Sequence, residues 1–238
     1  MFHYYFEFNM KKLIFVLFLS FPVFPQLAYF TGGADFRFSS STGLDKFAER
    51  YNQTRASILT KKMESPGTFS GWFLNLGSGF AGMTFDIGYS RHTASMRSET
   101  DPLRTTGGGT GRDIDLVLTN FMMGTGVAIV TSGDVALIFP NFEVNILGLS
   151  YETRTNTSSK SGDVSTIANA GVGMKLLLSL GGNFGLTINP SYNFSLLDPD
   201  FSGLYDGTST SYDISSDETK GSFNGFHIRI GVSLFFTD

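Results

Sequence analysis

Residues 186–196 read LTINPSYNFSL, and their alternation decides the fold. Leu186, Ile188, Pro190, Tyr192, Phe194 and Leu196 are apolar or aromatic, while Thr187, Asn189, Ser191, Asn193 and Ser195 between them are small and polar. Side chains on a β-strand point alternately to its two faces, so a period of two gathers all the apolar groups on one face. The run is also longer than the roughly five or six residues of an ordinary globular strand.

Working outward, the same pattern returns. Phe226, Ile228, Ile230, Val232, Leu234 and Phe236 share one face near the end of the chain, against His227, Arg229, Gly231 and Ser233, with Phe235 an exception. Val172, Met174, Leu176 and Leu178 alternate with Gly171, Gly173, Lys175 and Ser179, and Leu177 breaks the pattern. Met83, Phe85, Ile87 and Tyr89 alternate with Thr84, Asp86, Gly88 and Ser90. Weaker copies cover Phe30 to Phe38, Thr68 to Leu76, Arg112 to Val130 and Val135 to Tyr151, which brings the count to about eight. Pro140 and Pro190 fall inside strand patterns and cannot donate to a ladder, so bulges are expected at both.

The connections sort by length. Short turns are expected at 76–79, 132–134 and 181–183, and long polar loops at 39–66, 97–111, 152–164 and 197–221. Strict short–long alternation is the habit of a membrane barrel with short turns at one end and long loops at the other. The polar faces carry Gly, Ser, Thr and Asn rather than the Lys and Glu of a water-facing sheet, as suits a narrow lumen filled by its own side chains. The competing architecture is a soluble periplasmic barrel around an apolar ligand.

Composition agrees. Of 238 residues 41% are hydrophobic, 15% aromatic and only 16% charged, with 25 Phe, one Trp and 28 Gly. Soluble domains carry about a quarter charged residues. The net charge of -4, with no basic cluster, argues against a nucleic-acid partner. The absence of Cys excludes disulfides and thiolate metal sites. Met10-Lys11-Lys12 followed by the apolar run Leu13 to Phe24 reads as a secretory leader, too short for a bilayer anchor and broken by Pro22 and Pro25. Residues 1–28 are therefore assigned to a leader whose translation starts at Met10 and whose cleavage falls between Gln26 and Ala28, and residues 29–238 to one barrel domain. No later apolar run has the length of a transmembrane helix, so a membrane reading requires a closed barrel.

From Phe30 onward the chain resembles the small outer-membrane barrels of the OmpA/OmpX type and related outer-membrane β-barrel domains. The most specific part is Phe226 to Phe236, which looks like the C-terminal signal read by the barrel-assembly machinery, although Thr237 and Asp238 follow where that family usually ends on an aromatic residue. The resemblance implies an integral outer-membrane protein with both ends periplasmic, surrounded by lipid and lipopolysaccharide. No cofactor is implied.

Alternation places Asp35, Arg37, Asp86, Asp113, Asp115, Glu143, Lys175 and Arg229 on the lumen face. With the first and last strands adjacent, Arg229 is expected beside Asp35 in a network across the lumen; independently solvated charges are the alternative. Lipid A-modifying enzymes of this architecture use a His with a Ser and sometimes an acid near the outer rim, which here would be His92, Ser90 and Asp86; His227 lies near the same end. Asp198, Asp200, Ser202 and Asp206, with Gly203, resemble the start of a calcium loop, but Ser209 stands where the closing Glu belongs. Leu44, Phe47, Ala48 and Tyr51 fall at helical spacing after Ser41-Thr42, predicting a short amphipathic helix on the barrel rim or the membrane interface. Gly107-Gly108-Gly109-Thr110-Gly111 lacks the Lys and the strand-to-helix setting of a phosphate loop and reads as a loop tip. The function read from the sequence is that of a non-enzymatic surface barrel, structural or interacting with other envelope proteins through its loops. A narrow channel comes second and a lipid A-modifying enzyme third.

Overall fold

The computed structural model describes residues 27–105, 111–156, 158–205 and 219–236. The alternating segments become β1 (Leu27–Ser41), β3 (Phe69–Phe80), β4 (Met83–Thr100), β5 (Gly111–Ser132), β6 (Val135–Arg154), β8 (Ile167–Gly181), β9 (Phe184–Ser195) and β10 (Phe223–Phe236). These eight pair in the order β4-β3-β1-β10-β9-β8-β6-β5, and β5 pairs back to β4. The ring is a closed antiparallel barrel, sealed by an unbroken ladder between β1 and β10 that runs from Ala28 opposite Phe236 to Ser41 opposite Phe223. Closure leaves no unpaired edge around the ring, which lipid requires. Two short strands lie off it: β2 (Leu59–Lys61) on β4 and β7 (Ser159–Asp163) on β6. No described helix is long and apolar enough to cross a membrane.

Two of the three expected turns sit where expected, at Gly133-Asp134 and Gly182-Asn183. The third does not. β3 continues through 76–79 and turns at Ala81-Gly82, both with positive φ (50° and 79°), the twist that a two-residue hairpin demands. Gly77 serves another purpose: a side chain there would collide with the buried Tyr29 ring. At Pro140 the β6–β8 register shifts between Ile138 and Asn141, as expected of a bulge. Pro190 gives none; the register with β8 is the same on both sides, and the pairing only lapses between Gly173 and Leu176.

The expected loops are shorter than read, because β4 runs on to Thr100 and β6 to Arg154, and β7 returns on β6 as a hairpin. What changes along these strands is the meaning of the two faces. On β4 the outward residues are Met83, Phe85, Ile87 and Tyr89 toward the turn end, then Arg91, Thr93, Ser95, Arg97 and Glu99 toward the loop end. On β6 they are Phe142, Val144 and Ile146, then Ser150, Glu152 and Arg154. The inward residues switch the opposite way, from Asn141, Glu143 and Asn145 to Leu147, Leu149 and Tyr151. On β5 this corrects one assignment: Asp113 and Asp115 face outward, paired with Arg97 and Arg154, while Ile114, Leu116 and Leu118 fill the interior. Toward the turn end the barrel is apolar outside and polar inside, as lipid requires. Toward the loop end it has the polarity of a soluble domain.

Helix α1 (Thr42–Thr54) accounts for the soluble half. The Ser41 hydroxyl accepts the Leu44 N–H as N-cap. Leu44, Phe47, Ala48 and Tyr51 turn inward and join Phe69, Met96, Ile114, Leu116, Leu118, Leu147, Leu149, Ile167 and Phe223 in one apolar core. The helix thus closes the barrel mouth instead of resting on its rim. Burying each large side chain contributes about 1.5–3 kcal/mol. At the turn end Tyr29, Ile138 and Leu177, with Phe235 against them, form a second apolar cluster. The two breaks in alternation, Leu177 and Phe235, are its components.

Candidate functional site in the lumen

Between the two apolar clusters lies a polar lumen with very little solvent contact. Alternation puts Asp35, Arg37, Asp86, Glu143, Lys175 and Arg229 inside, and each is at most 3% exposed. Lys175 forms an ion pair with Asp86, whose carboxylate also accepts from Tyr29 Oη at 2.6 Å and Asn75 Nδ2 at 2.8 Å. Arg229 forms an ion pair with Glu143, which accepts further bonds from Asn141 Nδ2 (3.2 Å) and Asn189 Nδ2 (3.3 Å). Arg229 does lie opposite Asp35 in the β1–β10 ladder, but it reaches across to β6. The expected Arg229–Asp35 pair is therefore corrected to Arg229–Glu143, because Asp35 is already engaged by His227 and His92.

Above these pairs the side chains of Asn120, Asn145 and Asn193 form a ladder, with Nδ2 of Asn120 on Asn145 and of Asn145 on Asn193, each at 2.9 Å. Thr31 Oγ1 and Ser233 Oγ are 2.8 Å apart, joining β1 to β10. Asparagine, threonine and serine here fill the lumen with hydrogen-bonding groups that add no charge. Three carboxylates (Asp35, Asp86, Glu143) share the lumen with three basic side chains (Arg37, Lys175, Arg229), so formal charge balances before the histidines are counted.

Ser90, His92 and Asp86 do not assemble as a relay. Ser90 Oγ accepts from Asn120 at 3.5 Å, Asp86 is held by Lys175, and His92 faces Asp35, all beneath the apolar core. The trio of Asp35, His92 and His227 is not visible as a unit in the sequence. Its signal is distributed: each residue has inward parity, but only the register Asp35–Gly71–His92 across β1, β3 and β4 brings two of them together. Arg112 is a second residue that sequence reasoning misses; it is buried, donates to Thr153 Oγ1 at 2.7 Å and lies over the Phe47 ring.

In the last loop, Asp200 accepts from the Ser202 N–H at 2.9 Å and its own N–H bonds Ser165 Oγ. Hydrogen bonds from Thr219 and Ser202 hold its carboxyl below the usual carboxylate range. Asp198 is exposed, Asp206 lies outside the described residues, and the described part of this loop gathers no set of cation ligands. Residues 1–26 of the leader, 107–110, Thr237 and Asp238 also lie outside them. Phe226, Ile228, Ile230, Val232, Leu234 and Phe236 form the outward face of β10, between β1 and β9.

A closed barrel of eight strands with a lipid-facing apolar belt defines the class: this is a small β-barrel of the outer-membrane type. Among solved structures the chain is similar to Ail, the attachment invasion locus protein of Yersinia pestis, in complex with the heparin analogue sucrose octasulfate (13% identity, 90% of this chain and 100% of that one, TM-score 0.50). It is similar also to a major outer membrane protein from Thermus thermophilus (12% identity, 88% and 99%, TM-score 0.51). No protein-family model and no curated sequence matches. At these identities the likeness is one of fold.

Proposed function

We propose that this chain is an integral outer-membrane protein that acts through the part of the barrel standing outside the membrane, with neither a pore nor an active site. The observation that carries this is the lumen, capped by apolar clusters at both ends, with the Lys175–Asp86 and Arg229–Glu143 pairs buried inside. A conducting path would have to cross both clusters, and a substrate would have to displace α1 to reach Ser90 or His92. What remains available to partners is the outer surface of the β4–β6 extension, with Arg97, Asp113, Asp115, Glu152 and Arg154 exposed.

In this reading the loop end faces outward, both chain termini lie on the periplasmic side, and the leader that starts at Met10 is removed on export. The assembly machinery reads the outward face of β10. Lipid and lipopolysaccharide surround the belt, and other envelope or surface proteins meet the extension. A photo-crosslinker at Ser95 or Glu152 is expected to capture a protein or lipopolysaccharide partner in whole cells, while one at Asp134 in a short turn is not. Planar bilayers holding the purified barrel are expected to stay silent. Discrete conductance steps, or adducts only from Asp134, would overturn the proposal.

A further inference from the structure

We infer that Asp35, His92 and His227 form a binding site for one divalent transition-metal ion of the zinc type, buried in the barrel lumen. The three come from β1, β4 and β10, are each 0% exposed, and offer donor atoms that all lie within 4.8 Å of one another. His92 Nε2 is 3.0 Å from Asp35 Oδ2, and His227 Nε2 approaches Asp35 Oδ1. The imidazole rings are 5.8 Å apart and inclined at 60°, so both present Nε2 to the same carboxylate from different sides. Donors around a tetrahedral ion with bonds of about 2.1 Å stand roughly 3.4 Å apart, which small side-chain rotations reach from here. Imidazole and carboxylate together suit zinc, copper, nickel and iron better than calcium or magnesium.

Hydrogen bonding alone leaves the trio incomplete. His92 Nε2 is within reach of Asp35 but makes no directed hydrogen bond, and neither does its Nδ1; Asp35 Oδ2 is likewise without a hydrogen-bonded partner. His92 thus meets the carboxylate at 3.0 Å without an aligned hydrogen bond and its Nδ1 has no partner, which leaves an imidazole nitrogen available to an ion. Gly71 lies between Asp35 and His92 in the ladder; a side chain there would run into the Arg91 backbone, and with glycine the two residues reach each other across β3.

Charge decides what else the ion must carry. With the lumen already balanced, a dication adds two charges beside Arg37, which is close enough to act electrostatically on both Asp35 and His227. Three protein ligands leave one position of a tetrahedral ion open. An anion there, hydroxide or a small carboxylate, offsets part of the added charge and gives an acceptor to Arg37, whose Nε and Nη2 have no hydrogen-bond partner. Because both ends of the lumen are capped, the ion enters while the barrel folds and exchanges slowly afterwards.

The test uses the untagged full barrel, refolded in detergent with Zn(II) or Co(II), passed through chelator and desalted. The expected result is close to one metal per folded barrel by mass spectrometry, and a visible Co(II) spectrum of tetrahedral intensity. His92→Asn with His227→Asn should lower retained metal at least about tenfold. Zinc-loaded barrel should lose its folded gel mobility at a higher temperature than barrel refolded in chelator. Metal below about 0.1 per wild-type barrel, or equal retention by the double variant, overturns the site. If the double variant fails to fold, the wild-type stoichiometry and Co(II) spectrum decide alone, and a colourless Co(II) sample counts against the site.

Discussion

Arg229 and Glu143 illustrate what a sealed lumen does to single residues. Each is almost fully buried, and each would be an uncompensated charge without the other. Breaking such a pair by removing one member costs on the order of 3–5 kcal/mol, whereas removing both can be nearly neutral. Arg229→Ala is therefore expected to lower the urea midpoint of the detergent-refolded barrel, and adding Glu143→Ala to recover most of the loss. Asp35→Ala in place of Glu143→Ala should recover less, since Asp35 bonds to His227 instead. A cycle with no coupling between 229 and 143 would show that the lumen hydrates these charges independently. Gly77 makes a steric version of the same argument. A Cβ there runs into the Tyr29 ring, which is itself anchored on Asp86. Gly77→Ala should cost about 1–3 kcal/mol by overpacking, read as a lower urea midpoint; an unchanged midpoint would mean that the ring moves freely.

At the scale of the element, α1 is the part whose existence is legible in the sequence and whose place is not. Its helical spacing from Leu44 to Tyr51 and its Ser41 cap are plain in the chain, but an apolar helical stripe does not say which apolar surface it meets. The strands behave the same way. Alternation locates all eight, yet the upper parts of β4 and β6 read as loops because the polarity of the two faces inverts there. Asp113 and Asp115 read as lumen residues for the same reason: polar means inward in the membrane half and outward above it. Likewise the lumen charges are legible one by one from parity, but their partners depend on which strands face each other across the barrel. If α1 is a plug, Leu44→Asp with Phe47→Asp should undock it without opening the ring. Trypsin is then expected to cut after Lys46, Arg50 or Arg55 in a barrel that still shifts on gels when boiled. Resistance equal to wild type would show that the core at the mouth holds without these two side chains.

For the whole molecule, the outward surface is two surfaces, one for lipid and one for water, although neither is covered by protein. Val144 and Ile146 are 53% and 51% exposed in the folded chain, and Ser95, Glu99 and Glu152 are exposed as well. Nothing in the protein distinguishes these sites by access, so only a bilayer can. The chain has no native Cys, which allows single cysteines to be placed one at a time on a silent background. The decisive measurement is labelling of the barrel in lipid vesicles by a membrane-impermeant charged maleimide at 144, 146, 95, 99 and 152, with lumen position 145 as a control. Cysteine at 95, 99 and 152 is expected to react quickly, and at 144, 146 and 145 hardly at all until the barrel is unfolded. Equal labelling down the outward face, with 144 and 146 as reactive as 152, would mean that water and not lipid surrounds the belt and would contradict the membrane barrel itself.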